Sequence, residues 1–83
     1  MYWIVTMSGE KDNVEEEIEY CEFDNEDDAW DTHREFAENI APELASYRGY
    51  TEVVIQTVQC GRREKLIRET VFFCDGAVND TVF

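Results

Sequence analysis

The clearest periodicity in this chain of 83 residues runs from Trp30 to Leu44, where apolar residues recur at three- and four-residue steps. Trp30, His33, Phe36, Ala37, Ile40, Ala41 and Leu44 fall on one stripe of a helix. The other apolar segments alternate, or run in short blocks rich in Val, Ile, Thr and aromatic residues, as strands do. A lone amphipathic helix has to bury its stripe against a sheet. The fold is therefore expected to be α+β: an antiparallel sheet of four to five strands in β-β-α-β-β order, with one amphipathic helix on a face. Residues 1–83 suffice for one modest core and one domain.

Tyr2 to Ser8 reads as the first strand and Ser8 to Asn13 as a polar turn. Val14 to Phe23 alternates, with Val14, Ile18 and Tyr20 on one face and Glu15, Glu17, Glu19 and Cys21 on the other. Glu16 breaks the pattern, and an edge position or a local bulge would relieve it. Asp24 or Asn25 can cap the helix, and Glu26, Asp27 and Asp28 put negative charge in its first turn, where the helix dipole favours it. Pro42 cannot donate a helical hydrogen bond, so a break near Asn39–Ala41 is expected, followed by a short turn ending at Gly49.

Tyr50 to Cys60 and Lys65 to Cys74 form a hairpin about Arg62 and Arg63, which pairs Cys60 with Lys65 and Cys74 with Thr51. In that register Val54 and Val58 share a face with Ile67, Val71 and Phe73. Val53, Ile55, Leu66 and Phe72 lie on the other, with Thr57, Arg68 and Thr70. Asp75-Gly76 is a tight-turn signal, so Ala77 to Phe83 can return as a fifth strand. One hairpin face meets the helix; the second is apolar enough for a covering strand, a partner or a homodimer.

Charge is distributed as unevenly as hydrophobicity. Of the 20 acidic residues, 15 lie between Glu10 and Glu43 against only Lys11 and Arg34, so this window carries the whole net charge of −13. Outside it five acids meet five bases. With 43% hydrophobic and 13% aromatic residues the chain is too apolar for a disordered acidic tail. No signal-peptide pattern opens it, and no apolar stretch is long enough to span a membrane. A cytoplasmic protein is expected. The odd cysteine count (Cys21, Cys60, Cys74) without a C-x-x-C pair suits reduced, buried or partly buried structural thiols.

Residues that could carry chemistry are few. His33 lies on the apolar stripe and reads as a packed histidine, since a general base needs a pocket and a second group. No nucleophile motif or phosphate-binding loop is present. Asp24, Glu26, Asp28 and Glu35 match positions 1, 3, 5 and 12 of a calcium loop, but Ala29 occupies the obligatory glycine position and no helix precedes it. An acidic helix start accounts for the same residues. No catalytic residue, metal site or cofactor is expected. Arg62, Arg63, Lys65 and Arg68 read as a solvated hairpin tip, and the overall charge disfavours direct nucleic-acid binding.

The acidic block remains. Same-face strand residues repeat every ~6.6–6.8 Å, so Glu15, Glu17 and Glu19 would form a carboxylate row near the interval of two phosphate steps in DNA. Asp28, Asp31, Glu35 and Glu38 form a ridge opposite the apolar stripe. Like charges four apart, such as Asp27 and Asp31, weaken a helix by roughly 0.2–0.5 kcal/mol per pair. Local stability is given up repeatedly in one direction. A general halophilic surface would spread its acids into residues 50–83 as well. A solvated acidic face and a metal-binding domain are the plainer alternatives.

With Val14-Glu-Glu-Glu-Ile-Glu-Tyr-Cys-Glu-Phe23 and Asp24-Asn-Glu-Asp-Asp-Ala-Trp-Asp31, the chain resembles in outline the small acidic phage-encoded anti-CRISPR and anti-restriction inhibitors. That resemblance implies a non-enzymatic inhibitor in the host cytoplasm. It would block a CRISPR effector or similar nuclease through an acidic, phosphate-mimicking face, since heteroduplex channels and PAM readers are lined with Arg and Lys. The contact residues would be Glu15, Glu17, Glu19, Glu22, Asp27, Asp28, Asp31, Glu35 and Glu38, with Trp30 and Phe36 in the core. An immunity protein plugging a toxin nuclease, or another acidic partner of a basic protein, rests on the same physics. The strand row and the helix ridge adjoin through Glu22–Asp28, which allows one continuous acidic face.

Overall fold

The computed structural model describes residues 1–83. Five strands, β1 (Tyr2–Lys11), β2 (Val14–Phe23), β3 (Glu52–Cys60), β4 (Lys65–Phe73) and β5 (Val78–Val82), form one antiparallel sheet in the order β2-β1-β3-β4-β5. The helical segment falls between β2 and β3, so the element order is the expected β-β-α-β-β, with the fifth strand present. No helix is long and apolar enough to cross a membrane.

The first hairpin is longer than its polar sequence implies. Strand β1 continues to Lys11, and the turn is only Asp12-Asn13, both at positive φ (54° and 64°). Two left-handed residues make the tight hairpin whose twist suits its strands, and Asp and Asn tolerate that conformation. Gly9, inside the strand, is needed for packing: a Cβ there would lie 2.5 Å from the Tyr50 ring and 3.0 Å from Ile18 Cδ1. The ring lies directly on the backbone that the missing side chain exposes.

The ladder between β1 and β2 slips between Met7, opposite Glu19, and Ser8, opposite Glu17, leaving Ile18 as an inserted residue. The bulge reverses the face of every later residue. Val14, Glu16 and Ile18 lie on the helix side before it; Glu19, Cys21 and Phe23 lie on that side after it. Glu16 keeps its place on the helix side, and the edge position of β2 is what relieves the conflict: the carboxylate stays exposed and accepts from the Tyr50 hydroxyl.

Asn25 caps α1 (Glu26–Glu35): its Oδ1 accepts from the Asp28 N–H at 2.9 Å. Instead of breaking near Pro42, the helix widens into a π-helical turn, Phe36–Ile40, and continues as α2 (Ala41–Tyr47). Its fully or nearly fully buried residues, Ala29, His33, Ala41 and Ala45, are spaced in multiples of four. A plain α-helix drifts ~40° per four-residue step, and the extra residue of the π turn takes up that drift. Pro42 sits in the first turn of α2, directly after the π turn, so the helical bond its missing N–H cannot make falls where the helix widens, and Gly49 (φ 77°) ends the segment.

The helices pack on the face bearing Val5 and Met7 of β1 and Val53 and Ile55 of β3, with Phe36, Ile40 and Leu44 closing the core. Beyond a second bulge at Ile67 the β3–β4 register is the expected one, and the Cys74 N–H bonds to the Thr51 carbonyl at 3.0 Å. Toward the hairpin tip the bulge shifts the pairing, so Lys65 faces Gln59, not Cys60, and Leu66 joins Val58 on the far face. Strand β5 extends the sheet edge and leaves that far face uncovered. The three cysteines are free; Cys60 is buried and Cys21 partly so, but Cys74 is exposed, contrary to the structural role expected of it.

Candidate functional site

All nine carboxylates expected at a partner surface are exposed: Glu15, Glu17, Glu19, Glu22, Asp27, Asp28, Asp31, Glu35 and Glu38. They do not share one face. Glu15 and Glu17 lie opposite Glu10 and Ser8, and Glu22 opposite Ile4, on the side of the sheet that the helices leave bare. Glu19 lies opposite Met7, a core residue, so the bulge removes it from the expected row and turns it to the helix side.

The helix ridge is on that second side as well. Trp30 marks one flank of α1, with the Arg68 guanidinium of β4 stacked 5.1 Å from its ring centroid. At 100° per residue, positions 28 and 35 fall on the opposite flank, toward β2. Asp28 and Glu35 therefore lean to the same side as Glu16 and Glu19, while Asp27, Asp31 and Glu38 crest the helix. The charge wraps around the β2 edge and does not lie in one continuous plane.

Several of these carboxylates are already engaged. Asp31 pairs with Arg34 at 2.8 Å, Asp28 accepts from the Asn25 side chain at 2.8 Å, and Glu35 accepts from the Asn39 amide at 2.8 Å. Glu22 accepts from the Tyr20 hydroxyl at 2.9 Å, and that bond raises the Tyr20 pKa. Glu16 accepts a hydrogen bond from the Tyr50 hydroxyl. These exposed contacts hold side chains in place and contribute little to stability.

The register adds carboxylates that the sequence alone did not group. Glu10 faces Glu15 on one side and Glu52 on the other, so three glutamates stand abreast on the bare face. With Ser8, Gly9 and Val54 they line a shallow depression of about 70 Å³. Their grouping depends on β1 pairing with both β2 and β3, which the hydrophobic pattern of any one strand does not reveal.

His33 is fully buried and fully partnered. Its Nδ1 lies 2.7 Å from Thr57 Oγ1 and its Nε2 2.8 Å from Thr70 Oγ1. Thr70 donates its hydroxyl proton to Asp80 at 2.8 Å, and Asp80 receives both Arg68 Nε (3.0 Å) and its terminal nitrogen (2.9 Å). Burial, and then the Arg68 charge, push the His33 pKa down to about 4. Arg68 likewise holds the Asp80 carboxyl below its usual range. The hydroxyl stands between acid and imidazole, so this array does not activate a nucleophile; it joins helix, β3, β4 and β5. Arg68 thus leaves the basic hairpin tip, where Arg62, Arg63 and Lys65 remain exposed. Trp30 is a half-buried flank residue that donates to Glu26 at 2.9 Å, whereas Phe36 packs on the core as expected.

Comparison with family models, curated proteins and solved structures gives no match for this chain.

Proposed function

We propose that this protein is a non-enzymatic inhibitor that binds a nucleic-acid-handling protein, such as a CRISPR effector or similar nuclease, and blocks its access to nucleic acid. The supporting observation is the helix crest: Asp27, Asp28, Asp31, Glu35 and Glu38 are all solvent-exposed, with Arg34 the only base on α1. From Asp28 to Glu38 the helix rises ~15 Å, which spaces four carboxylates at roughly 5 Å, between one and two phosphate steps of a DNA strand. A groove lined with Arg and Lys would receive this crest as it receives a phosphate backbone. Glu16 and Glu19 extend the same side toward the β2 edge.

The test is titration of the protein into DNA-cleavage assays of purified CRISPR effectors and restriction nucleases, with duplex DNA and guide RNA as competitors. Cleavage should fall in proportion to complex formed, with affinity dropping steeply as salt rises. Asp31→Lys with Glu35→Lys should weaken binding by an order of magnitude or more while the thermal melt stays cooperative. Unchanged binding by that folded variant would remove the crest from the interface. Binding that nucleic acid does not compete away would support a basic partner without phosphate mimicry.

A further inference from the structure

The face of the sheet opposite the helices is bare, and its composition is not that of a solvated surface. Cross-strand pairing puts Ile4 beside Val58 and Val58 beside Leu66 near the hairpin tip, and Val54 beside Val71 nearer the other end, with Phe73 beyond them. These six side chains stay half-exposed, because both helices lie on the other side. Between the two patches runs a polar row, Thr6, Gln56 and Glu69, in which the Gln56 amide donates to Glu69 at 2.6 Å.

Along β3 the patches are four residues apart, from Val54 to Val58, or ~13 Å at the usual strand rise. A helix lying along the strands presents residues i and i+8 on one face ~12 Å apart, so one helix can fill both patches and set a polar residue over the row between. The flank is charged on one side. Glu15, Glu17 and Glu22 run along β2, two strands from β3, or ~9–10 Å away. That offset matches the ~10–12 Å width of a helix with its side chains. Toward β5 the corresponding residues are Asn79 and Thr81, which carry no charge.

We propose that this bare face docks a cationic amphipathic helix of a partner protein. Its apolar residues would sit on the Ile4–Val58–Leu66 and Val54–Val71–Phe73 patches, and its Lys and Arg residues on the β2 flank against Glu15, Glu17 and Glu22. A second copy of this chain would present a face that carries Glu10, Glu52 and Glu69 besides these three and so adds negative charge to negative, and an anionic lipid surface would be repelled likewise. The surface is separate from the helix crest and does not depend on phosphate mimicry: the crest offers charge alone, and this face offers charge beside an apolar groove.

The probe is a synthetic 18-residue helix of Leu and Lys with one apolar face, titrated into isotopically labelled protein and followed by amide NMR shifts. A peptide of the same composition, scrambled to have no apolar face, is the control. The amphipathic peptide should shift Val54, Val58 and Val71 and bind at least tenfold more tightly than the scrambled one. Val54→Thr with Val71→Thr keeps β-branched shape, so the fold should persist, and it should weaken binding several-fold; Glu15→Gln with Glu17→Gln should flatten the salt dependence. Equal binding of the two peptides, shifts centred on Asp31 and Glu35, or unchanged affinity in a folded Val54→Thr/Val71→Thr variant would each overturn the proposal. A concentration-dependent dimer that buries Val54 and Val71 would overturn it in favour of a second copy.

Discussion

The Nε2 of His33 donates to Thr70 Oγ1, because that hydroxyl gives its single proton to Asp80. The tautomer follows: Nε2 carries the hydrogen, and Nδ1 accepts from Thr57. A neutral histidine is thereby built into the seam between α1 and the sheet. Its pKa near 4, against 6.5 ordinarily, makes folding pH-dependent. Between those values the unfolded chain takes up a proton that the folded one refuses, so stability falls as pH drops from about 6.5 to about 4. The loss should amount to about 3 kcal/mol. Thermal melts across that range should show it, and the His33 ring proton should titrate by NMR with a midpoint near 4. Asp80, held low by Arg68, adds a further loss in the same direction below the ordinary carboxylate range.

Thr70→Val keeps the shape of the side chain but leaves a buried imidazole N–H with no acceptor. Such a group costs ~1–3 kcal/mol, and chemical denaturation should show a loss of that size. The same variant should leave Asp80 bonded to Arg68 alone.

Gly9→Ala should destabilise the fold by ~1–3 kcal/mol, the usual cost of overpacking, since the added Cβ meets the Tyr50 ring. The effect is expected to be strongly non-additive. In a Tyr50→Ala background the same change should cost far less, and a double-mutant cycle from urea melts measures the coupling.

Glu10 stands between Glu15 and Glu52 in one transverse row. Like charges directly opposite one another destabilise a sheet, by ~0.2–1 kcal/mol per pair. Glu10→Thr should therefore raise stability, by more at low salt than at high salt, where screening has already removed part of the repulsion. Denaturation midpoints at two ionic strengths check both the sign and the trend.

Asn25→Ala removes the cap of α1. A loss of about 1 kcal/mol is expected, and the Asp28 amide, which donates to the cap, should lose hydrogen-exchange protection first.

How far the sequence discloses this fold can be judged strand by strand. The helix stripe, the β3–β4 register about Thr57–Arg68, the Asn25 cap and the returning fifth strand follow from periodicity and turn chemistry, which are local. The bulges at Ile18 and Ile67 do not, because an inserted residue is visible only against the partner strand. The strand side chains found on the other face trace to them: Glu19, Tyr20 and Cys21 on β2 and Leu66 on β4. The π turn was concealed for another reason. Pro42 signals that a helical hydrogen bond is missing, and a chain can meet that by stopping or by widening. The choice depends on what lies beneath, here the need to keep Ala41 and Ala45 over the core. The acidic surface was legible residue by residue, but its division between two sides of the molecule was not.

The central position of β1 bears on how the chain assembles. Strands β1 and β2 form one local hairpin, and β3, β4 and β5 form a local meander; only the β1–β3 seam joins residues distant in sequence. Closing it is the slow entropic step, since the whole helical segment intervenes. The hairpin and helix carry nearly all of the net charge, and the meander, with five acids against four bases, is almost neutral. Repulsion is thus concentrated within one folding unit and is slight between the two that must meet. Salt should accordingly speed formation of the first unit and leave the docking of the second nearly untouched.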